Sequence, residues 1–276
     1  MADATRTNGR LRNKLGLHTW TLDTTPLAGV LAIIKQTGWD GVELRRVDFL
    51  RALEAGKTVE DVIGLVRASG LPVTAVGVEP GWMYADGDEL KRLLVVFAEQ
   101  CQAAAALGAP IVMSPVDRGT GSLQQAASRV REVGALARPH GVRVAIEFNS
   151  QAEQINNLAR MREVLAAAAE PQCGLLLDTY HFGRSGGTVE ALGDLAPGEI
   201  LYFQYSDVAA SGLQPGMVTD RLPPGKGVVP FREIFKALAA KGYPGFLSYE
   251  APNQAAWARD PDEVAREALQ ATRDLL

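Results

Sequence analysis

One pattern recurs along this chain: a segment long enough for a helix, a glycine, two or three turn residues, and a short run of β-favouring residues. Glycine just past a helix adopts the left-handed conformation that lets a chain reverse within a few residues. The pattern predicts strands at residues 14–22, 42–44, 73–78, 111–114, 142–148, 174–178, 200–205 and 246–250. It predicts helices between them at residues 26–35, 59–68, 88–107, 123–138, 154–168, 189–195, 231–241 and 261–275. Strands and helices therefore alternate strictly.

This alternation constrains the fold class to α/β. Strand starts recur at roughly thirty residues, the size of a βα unit, and right-handed crossovers make such strands parallel. We predict a closed (β/α)₈ TIM barrel. An open doubly wound sheet uses the same alternation but normally carries a glycine-rich phosphate turn after its first strand, and Trp20-Thr21-Leu22-Asp23 has no such glycines. Since no linker divides the chain, residues 14–276 are predicted to form one domain, after a polar, disordered lead-in at residues 1–13.

Composition excludes several kinds of partner. The formal net charge is −4, and the two signs are interspersed, so there is no basic stripe for nucleic acid. No apolar run is long enough to span a bilayer, which predicts no membrane association. The opening residues lack the apolar core of a signal peptide. Cys101 falls in a predicted helix and Cys173 at a strand start, which suggests reduced core thiols and a cytoplasmic protein.

Polar side chains end four consecutive predicted strands: Glu147, Asp178, Gln204 and Glu250 close strands five to eight. The C-terminal ends of barrel strands meet in one mouth, so these oxygens are expected to converge. Any one carboxylate is equally well explained by a helix N-cap or a salt bridge. Together they would repel one another unless a cation is present. An all-oxygen set suits one hard divalent ion, Mn²⁺ or Mg²⁺.

Further candidates surround this mouth. Residues 208–228 form a long connection after strand seven, and loops of this length are usually functional or disordered. Trp20, Trp82 and Trp257 lie in loops where aromatic rings would wall a ring-shaped substrate or pack against a neighbouring loop. At the ends of strands one to three, His18, Glu43, Arg45 and Glu79 would line the other half of the mouth. Glu43 or Arg45 would equally fit an ion pair between strands.

A family resemblance follows from several segments taken in order: GWDGVEL, VAIEF, LLDTYHF, the Ser-Asp pair after strand seven, RLPPGKG and GYPGFLSYE. They resemble the xylose isomerase-like TIM barrels of the sugar phosphate isomerase/epimerase superfamily, over nearly the whole chain. That superfamily includes ketohexose epimerases, hydroxypyruvate isomerase, inosose dehydratase and 3-dehydroshikimate dehydratase. The resemblance implies that Glu147, Asp178, Gln204 and Glu250 bind the metal. It also implies that His181 and Arg221 contact substrate, and that the protein is a homo-oligomer.

Gln204 departs from this resemblance, because most sugar epimerases of the superfamily carry histidine there. An amide oxygen is a harder ligand than imidazole, which favours Mg²⁺ or Mn²⁺ over Zn²⁺. Gln at this position is similar to some bacterial 3-dehydroshikimate dehydratases. The DNA-repair relatives of the superfamily use a histidine-rich trinuclear zinc site, and a total of three histidines argues against that function.

The leading expectation is a metal-dependent isomerase or epimerase acting on a small keto-sugar or polyol. Glu147 and Glu250 would be the catalytic groups that remove and return a proton through an enediolate. His181, Arg221, Trp20 and Glu43 would bind this polyhydroxy ketone. Two alternatives remain: a dehydratase of a cyclic keto-polyol such as 3-dehydroshikimate or an inosose, and a non-catalytic sugar- or metal-binding barrel.

Overall fold

Eight parallel strands close into one barrel in a computed structural model that describes residues 11–116 and 119–276. Each strand pairs with its neighbour in the chain, and the last returns to the first through the register Leu15↔Leu247. The strands are β1 (Leu15–His18), β2 (Gly41–Leu44), β3 (Val73–Gly77), β4 (Ile111–Pro115), β5 (Arg143–Glu147), β6 (Cys173–Asp178), β7 (Ile200–Tyr205) and β8 (Leu247–Tyr249). The predicted (β/α)₈ fold class is confirmed.

Helices cover the outside of the barrel. They are α1 (Leu27–Thr37), α2 (Arg46–Glu54), α3 (Val59–Ser69), α4 (Gly87–Ala106), α5 (Leu123–Ala137), α6 (Leu158–Ala168), α7 (Thr179–Arg184), α8 (Val189–Gly193), α9 (Phe231–Ala240), α10 (Gln254–Trp257) and α11 (Pro261–Arg273). Two 3₁₀ helices span Thr19–Leu22 and Arg138–His140. Within the described ranges, no helix has the length and apolar composition needed to cross a membrane.

The predicted turns depend on glycines that adopt the left-handed backbone conformation. Gly38 ends α1 with φ at 87°, and Gly70 ends α3 with φ at 72°. Both values lie in the left-handed region, where a side chain would be strained. The Gly38 N–H caps the Ile34 carbonyl, and β2 begins three residues later. Short turns of this kind set the spacing of strands around the barrel.

The barrel interior is apolar and closely filled towards its centre. Ala75, Ile111, Met113, Ala145, Leu176 and Tyr202 form a separate interior cluster. At Gly41 there is no room for a side chain, because a Cβ would lie 2.9 Å from the Pro72 carbonyl oxygen and 3.0 Å from Thr74 Cγ2. Both cysteines are buried and free, as predicted. The packed interior leaves the C-terminal mouth for polar groups.

Several predicted boundaries are wrong. The strand expected at residues 14–22 ends at His18, because His18 caps the 3₁₀ helix that follows by accepting the Trp20 N–H. The helix expected at residues 154–168 begins at Leu158, after the Asn157 side chain accepts the Arg160 N–H. Helices α2, α7 and α10 were not predicted.

The predicted disordered lead-in is also wrong in part. Leu11 is buried in the core, and Asn13 Nδ2 donates to the carbonyl oxygens of Tyr243 at 2.8 Å and Gly245 at 2.6 Å. These bonds tie the chain start to the turn before β8. The rest of that prediction, residues 1–10, lies outside the described residues.

Candidate active site

A cavity of about 560 Å³ opens at the C-terminal ends of the strands. Of the residues predicted to form the site, this cavity is bordered by Trp20, Glu147, His181, Arg221 and Glu250. The predicted ligands Asp178 and Gln204 are fully buried. Because β6 and β7 pair with Asp178 opposite Gln204, the two side chains end neighbouring strands at the same level. The strand ends therefore bring the predicted residues together.

Arg221 connects two members of the acidic group. Its Nη1 donates to Asp178 Oδ2 at 2.7 Å and to Glu250 Oε2 at 2.9 Å. The guanidinium is 2% exposed and lies 4.4 Å from the centre of the Tyr180 ring. Burial lowers the pKa of Arg221, but the neighbouring carboxylates of Glu250 and Asp178 outweigh it and raise the pKa above its ordinary value. Arg221 thus stays charged and orders both carboxylates.

The long connection after β7 is fixed by a buried carboxylate. Asp207 accepts backbone N–H groups from Val208 at 2.9 Å, Gly227 at 2.7 Å and Val229 at 2.9 Å. Its own backbone forms an antiparallel bridge with Leu222, the residue after Arg221. Charge-assisted bonds to backbone N–H groups are among the stronger hydrogen bonds in proteins. Asp207 therefore holds the loop that delivers Arg221 to the mouth.

His181 has a defined tautomer. The Ser150 backbone N–H can only donate, and it lies 3.2 Å from His181 Nδ1. Nδ1 therefore acts as an acceptor towards this N–H, which places the hydrogen of the neutral ring on Nε2, and the Ser150 hydroxyl, 2.9 Å from Nδ1, can donate to the same nitrogen. Burial and the nearby Arg221 charge lower the pKa of His181 to about 3, so the ring is neutral near pH 7.

Glu147, Asp178 and His181 lie close enough to hold a metal ion, with candidate ligand atoms within 4.8 Å of one another. His181 Nε2 is 3.9 Å from Glu147 Oε1. With Nδ1 accepting the Ser150 N–H, however, the ring hydrogen lies on Nε2, and a ring nitrogen that carries hydrogen cannot ligate a metal. His181 therefore fits a donor to a substrate oxygen better than a metal ligand.

Gln204 is oriented by Glu43. The amide Nε2 of Gln204 donates to Glu43 Oε1 at 2.8 Å, while Glu43 Oε2 accepts from the hydroxyls of Tyr202, at 3.0 Å, and Ser248. Gln204 Oε1 is buried and has no hydrogen-bond partner among the described residues. Glu43 thus determines which end of the amide remains available as an oxygen ligand.

Glu43 itself does not border the cavity in the described part of the chain. Its expected contact with substrate stays a prediction. The alternative expectation for Glu43 was an ion pair between strands, and the structure shows hydrogen bonds to Glu43 in place of that ion pair. Arg45 and Glu79 border the cavity, and each forms an ion pair there, Arg45 with Asp23 at 2.6 Å and Glu79 with Arg46 at 2.9 Å. Trp20 borders the cavity, whereas Trp82 is buried and donates to Ser114 Oγ.

The mouth concentrates carboxyl groups whose ionised forms are disfavoured. Burial and then repulsion from Glu250 raise the pKa of Glu43 to about 8. Burial, Asp178 and Glu250 raise the pKa of Glu147 well above its usual range. With both nearby histidines neutral, Arg221 alone among the buried side chains of the described residues offsets these carboxyl groups.

One divalent cation fits this arrangement. Of the four buried side-chain oxygens that lack hydrogen-bond partners among the described residues, two, Glu147 Oε1 and Gln204 Oε1, belong to predicted ligands. Buried polar atoms without partners are rare and call for a specific explanation. A cation would satisfy both atoms and favour the ionised carboxylates. The oxygen donors suit a hard ion.

Sequence reasoning missed part of the cavity wall. Helix α2 contributes Arg46, Val47 and Leu50, and the long connection contributes Val218. The α2 residues escaped notice because that helix was not predicted. Val218 stands in a segment without periodicity, and its sequence carries no signal that would have placed it at the mouth.

Comparison with known proteins gives consistent matches. The family model for the xylose isomerase-like TIM barrel matches residues 31–275. The inosose isomerase of Halalkalibacterium halodurans is 25% identical over 239 residues, covering 83% of this chain and 84% of that protein. The 3-dehydroshikimate dehydratase of Pseudomonas putida is 23% identical over 258 residues, covering 90% of this chain and 40% of that protein. A crystal structure of the IolI protein with a bound zinc atom superimposes with a TM-score of 0.84 at 20% identity, covering 95% and 97% of the two chains.

Proposed function

Because this chain belongs to the xylose isomerase-like TIM barrel family, we propose that it is a divalent-metal-dependent isomerase or epimerase of a small keto-polyol. The observation that carries this function is the group of carboxyl and amide oxygens at the barrel mouth. In that group, Glu147 Oε1 and Gln204 Oε1 are buried without hydrogen-bond partners among the described residues. A site that only stabilised the fold would be expected to satisfy these atoms.

Glu147, Asp178, Gln204 and Glu250 would hold the metal ion. The amide oxygen of Gln204 favours Mn²⁺ or Mg²⁺, although the similar IolI structure contains zinc. A bound divalent ion would polarise the carbonyl of the substrate and so acidify the neighbouring C–H bond.

Glu147 and Glu250 are the proposed acid–base pair, and both border the cavity from different strands. Glu147 accepts the proton from the carbon beside the carbonyl, which leaves an enediolate. Returning a proton to the adjacent carbon gives isomerisation, and returning it to the opposite face of the same carbon gives epimerisation. Burial makes the carboxylate of Glu147 a stronger base than an exposed one. The neutral His181 Nε2–H and the Arg221 guanidinium would donate to the substrate oxygens that gain negative charge.

Inososes are the first substrates to test, because inosose isomerase is among the similar proteins. Purified protein with Mg²⁺ in D₂O should exchange a substrate hydrogen beside the carbonyl for deuterium, as followed by NMR. Glu147→Gln should reduce the exchange rate by about 10³-fold or more, because it removes the base. Glu163→Gln, which changes a half-exposed side chain on α6, is the matched control and should exchange normally. Equal exchange by wild type and Glu147→Gln would refute the assigned base.

A second function is favoured by the similarity to 3-dehydroshikimate dehydratase. The same base would form the same enolate, but a β-hydroxyl would then leave as water. With 3-dehydroshikimate as substrate, that outcome gives a conjugated product that absorbs in the ultraviolet. Its appearance, together with loss of activity in Glu147→Gln, would assign the protein as a lyase. Metal and polyol binding without exchange or dehydration would indicate a non-catalytic barrel.

A further inference from the structure

His18 repeats, on the opposite side of the mouth, the arrangement found at His181. It ends β1, is 2% exposed and borders the cavity. Its Nδ1 accepts the backbone N–H of Trp20 at 3.2 Å. As at His181, a backbone N–H can only donate, so the neutral ring carries its hydrogen on Nε2.

The Nε2–H of His18 points into the acidic group. It lies 3.5 Å from Glu250 Oε1 and 3.8 Å from Glu43 Oε1, both longer than an ordinary N–H···O bond of roughly 2.7–3.2 Å. A ring N–H donor therefore stands beside Glu250 without forming a short bond to it.

The two histidines lie beside different glutamates of the site. His181 Nε2 lies 3.9 Å from Glu147 Oε1, and His18 Nε2 lies 3.5 Å from Glu250 Oε1. Each proposed acid–base carboxylate thus has one histidine ring N–H donor beside it. A substrate oxygen placed next to either glutamate would receive a hydrogen bond from the histidine on that side.

We propose that His18 is a substrate-binding residue whose Nε2–H donates to an oxygen of the keto-polyol on the Glu250 side of the site. This role rests on the proposed function and specifies its substrate class. Donors on both sides select a ketone with hydroxyl groups on both flanks of the reacting carbons, as in a six-membered polyhydroxy ring.

A double-mutant cycle that combines one change in the substrate with one change in the protein tests this contact. The rate constant kcat/KM is measured with an inosose and with each of its monodeoxy analogues, for wild type, His18→Ala and His18→Gln. In wild type, removing the hydroxyl that accepts from His18 should lower kcat/KM by about five- to tenfold, and in His18→Ala the same removal should have no effect. His18→Gln can place an amide N–H near the position of Nε2 and should restore most of the discrimination.

The outcomes separate this contact from the proposed function. If His18→Ala lowers kcat/KM equally for the inosose and every deoxy analogue, His18 has only a structural role and the contact is refuted, while the isomerase function stands. If wild type exchanges no deuterium into any ring ketone, the proposed function fails and the contact fails with it.

A second measurement needs no turnover. The chain has three histidines, so ¹⁵N-histidine NMR of the Mg²⁺-loaded protein gives a simple spectrum that His18→Gln assigns. The expected result is an Nε2–H tautomer for His18, with its resonance shifted by non-reacting myo-inositol. His140→Gln, which changes a histidine in the 3₁₀ helix before β5, is the matched control and should leave that shift unchanged. An Nδ1–H tautomer, or no shift at saturating polyol, would overturn the contact.

Discussion

The hydrogen bond between Glu43 and Gln204 determines which atom of the Gln204 amide is available to bind a metal ion. An amide has an oxygen at one end and an NH₂ group at the other, and only the oxygen can bind a metal ion. Because Glu43 accepts from Gln204 Nε2 at 2.8 Å, the oxygen is directed away from Glu43. Glu43 therefore acts as a positioning residue for the proposed metal ligand, in the way that outer hydrogen bonds orient ligands at other metal sites.

We predict that Glu43→Ala weakens Mn²⁺ binding by about 10- to 100-fold, although Glu43 is not itself a predicted ligand. Losing the acceptor frees the Gln204 amide to rotate. Isothermal titration with Mn²⁺ measures the effect without any substrate. Ser248→Ala is the matched control, because it removes one donor to Glu43 and leaves the Glu43–Gln204 bond in place. Unchanged affinity in Glu43→Ala would show that Gln204 is not held by this bond or is not a ligand.

Gln204 also sets an expected metal preference. We predict that Gln204→His raises the affinity for Zn²⁺ relative to Mn²⁺ by about tenfold or more, because imidazole is a softer ligand than an amide oxygen. Glu43 can accept the N–H of an imidazole as it accepts that of the amide. Competition with a chromophoric chelator gives both affinities, and Gln214→His, at an exposed loop position, is the control. An unchanged ratio would contradict Gln204 as a ligand.

Sequence alone predicted which side chains end the strands, but not how deep each one lies. Glu147, Asp178 and Glu250 were placed at the mouth because apolar runs end at them. The depth of Glu43 depends on contacts with Tyr202 and Gln204, 159 and 161 residues away in the chain. A register shift between Val42 and Glu43 also changes how β2 meets β3. No pattern in the neighbouring sequence predicts contacts between residues so far apart in the chain.

At the scale of elements, the loop carrying Arg221 depends on close backbone packing. A Cβ at Gly227 would collide with the Val208 carbonyl oxygen and lie 2.6 Å from Asp207 Oδ1. The Gly227 N–H also donates to Asp207. There is therefore no space for a side chain at the point where the loop returns to the barrel.

We predict that Gly227→Ala destabilises the protein by about 1–3 kcal/mol and displaces Arg221, since overpacking is relieved only by moving the loop. Urea unfolding measures the first effect, and deuterium exchange of the substrate, expected to slow at least tenfold, measures the second. Lys226→Ala changes the adjacent exposed residue and should be neutral in both assays. A Gly227→Ala protein with normal stability would show that the loop does not require this contact.

End signals do not by themselves decide which helices are predicted, because α7 and α10 were missed although Asp178 and Asn253 cap them. Helix α3 was predicted because an amphipathic segment at residues 59–68 is followed by Gly70, which ends it; the capping box of Thr58 and Asp61 is a finding of the structure. Helix α2 follows β2 almost directly, and its N-cap is Arg45, a residue that does not usually mark a helix start. Its existence therefore depends on packing at the barrel mouth rather than on local sequence.

For the whole molecule, the sequence predicted closure because eight βα units recur at similar spacing and the turn after the first strand lacks the glycines of an open doubly wound sheet. The pairing that completes it, Leu15 with Leu247, joins the first strand to the last. Asn13 reinforces that junction with hydrogen bonds to Tyr243 and Gly245. This reinforcement could not be predicted, because the polar residues before β1 give no sign of their distant partners.

Closure also concentrates carboxyl groups from β5, β6 and β8 in one buried mouth, which opposes folding of the metal-free protein. Burial and like charges raise the pKa of Glu147, an indication that its ionised form is disfavoured there. A divalent ion bound at the proposed site would have no equivalent site in the unfolded chain. Metal binding would therefore be coupled to the stability of the entire barrel.

We predict that removing divalent ions with EDTA lowers the free energy of unfolding, and that Mg²⁺ or Mn²⁺ at 100 times its dissociation constant restores about 2.7 kcal/mol. Urea titrations with and without metal measure this difference. Asp178→Asn should abolish most of the metal-dependent gain, and sodium chloride at equal ionic strength should not reproduce it, because screening acts weakly on buried charges. If wild type unfolds at the same urea concentration in EDTA and in saturating Mn²⁺, the acidic mouth is not a metal site. The unpartnered oxygens of Glu147 and Gln204 would then have to be satisfied by substrate or water instead.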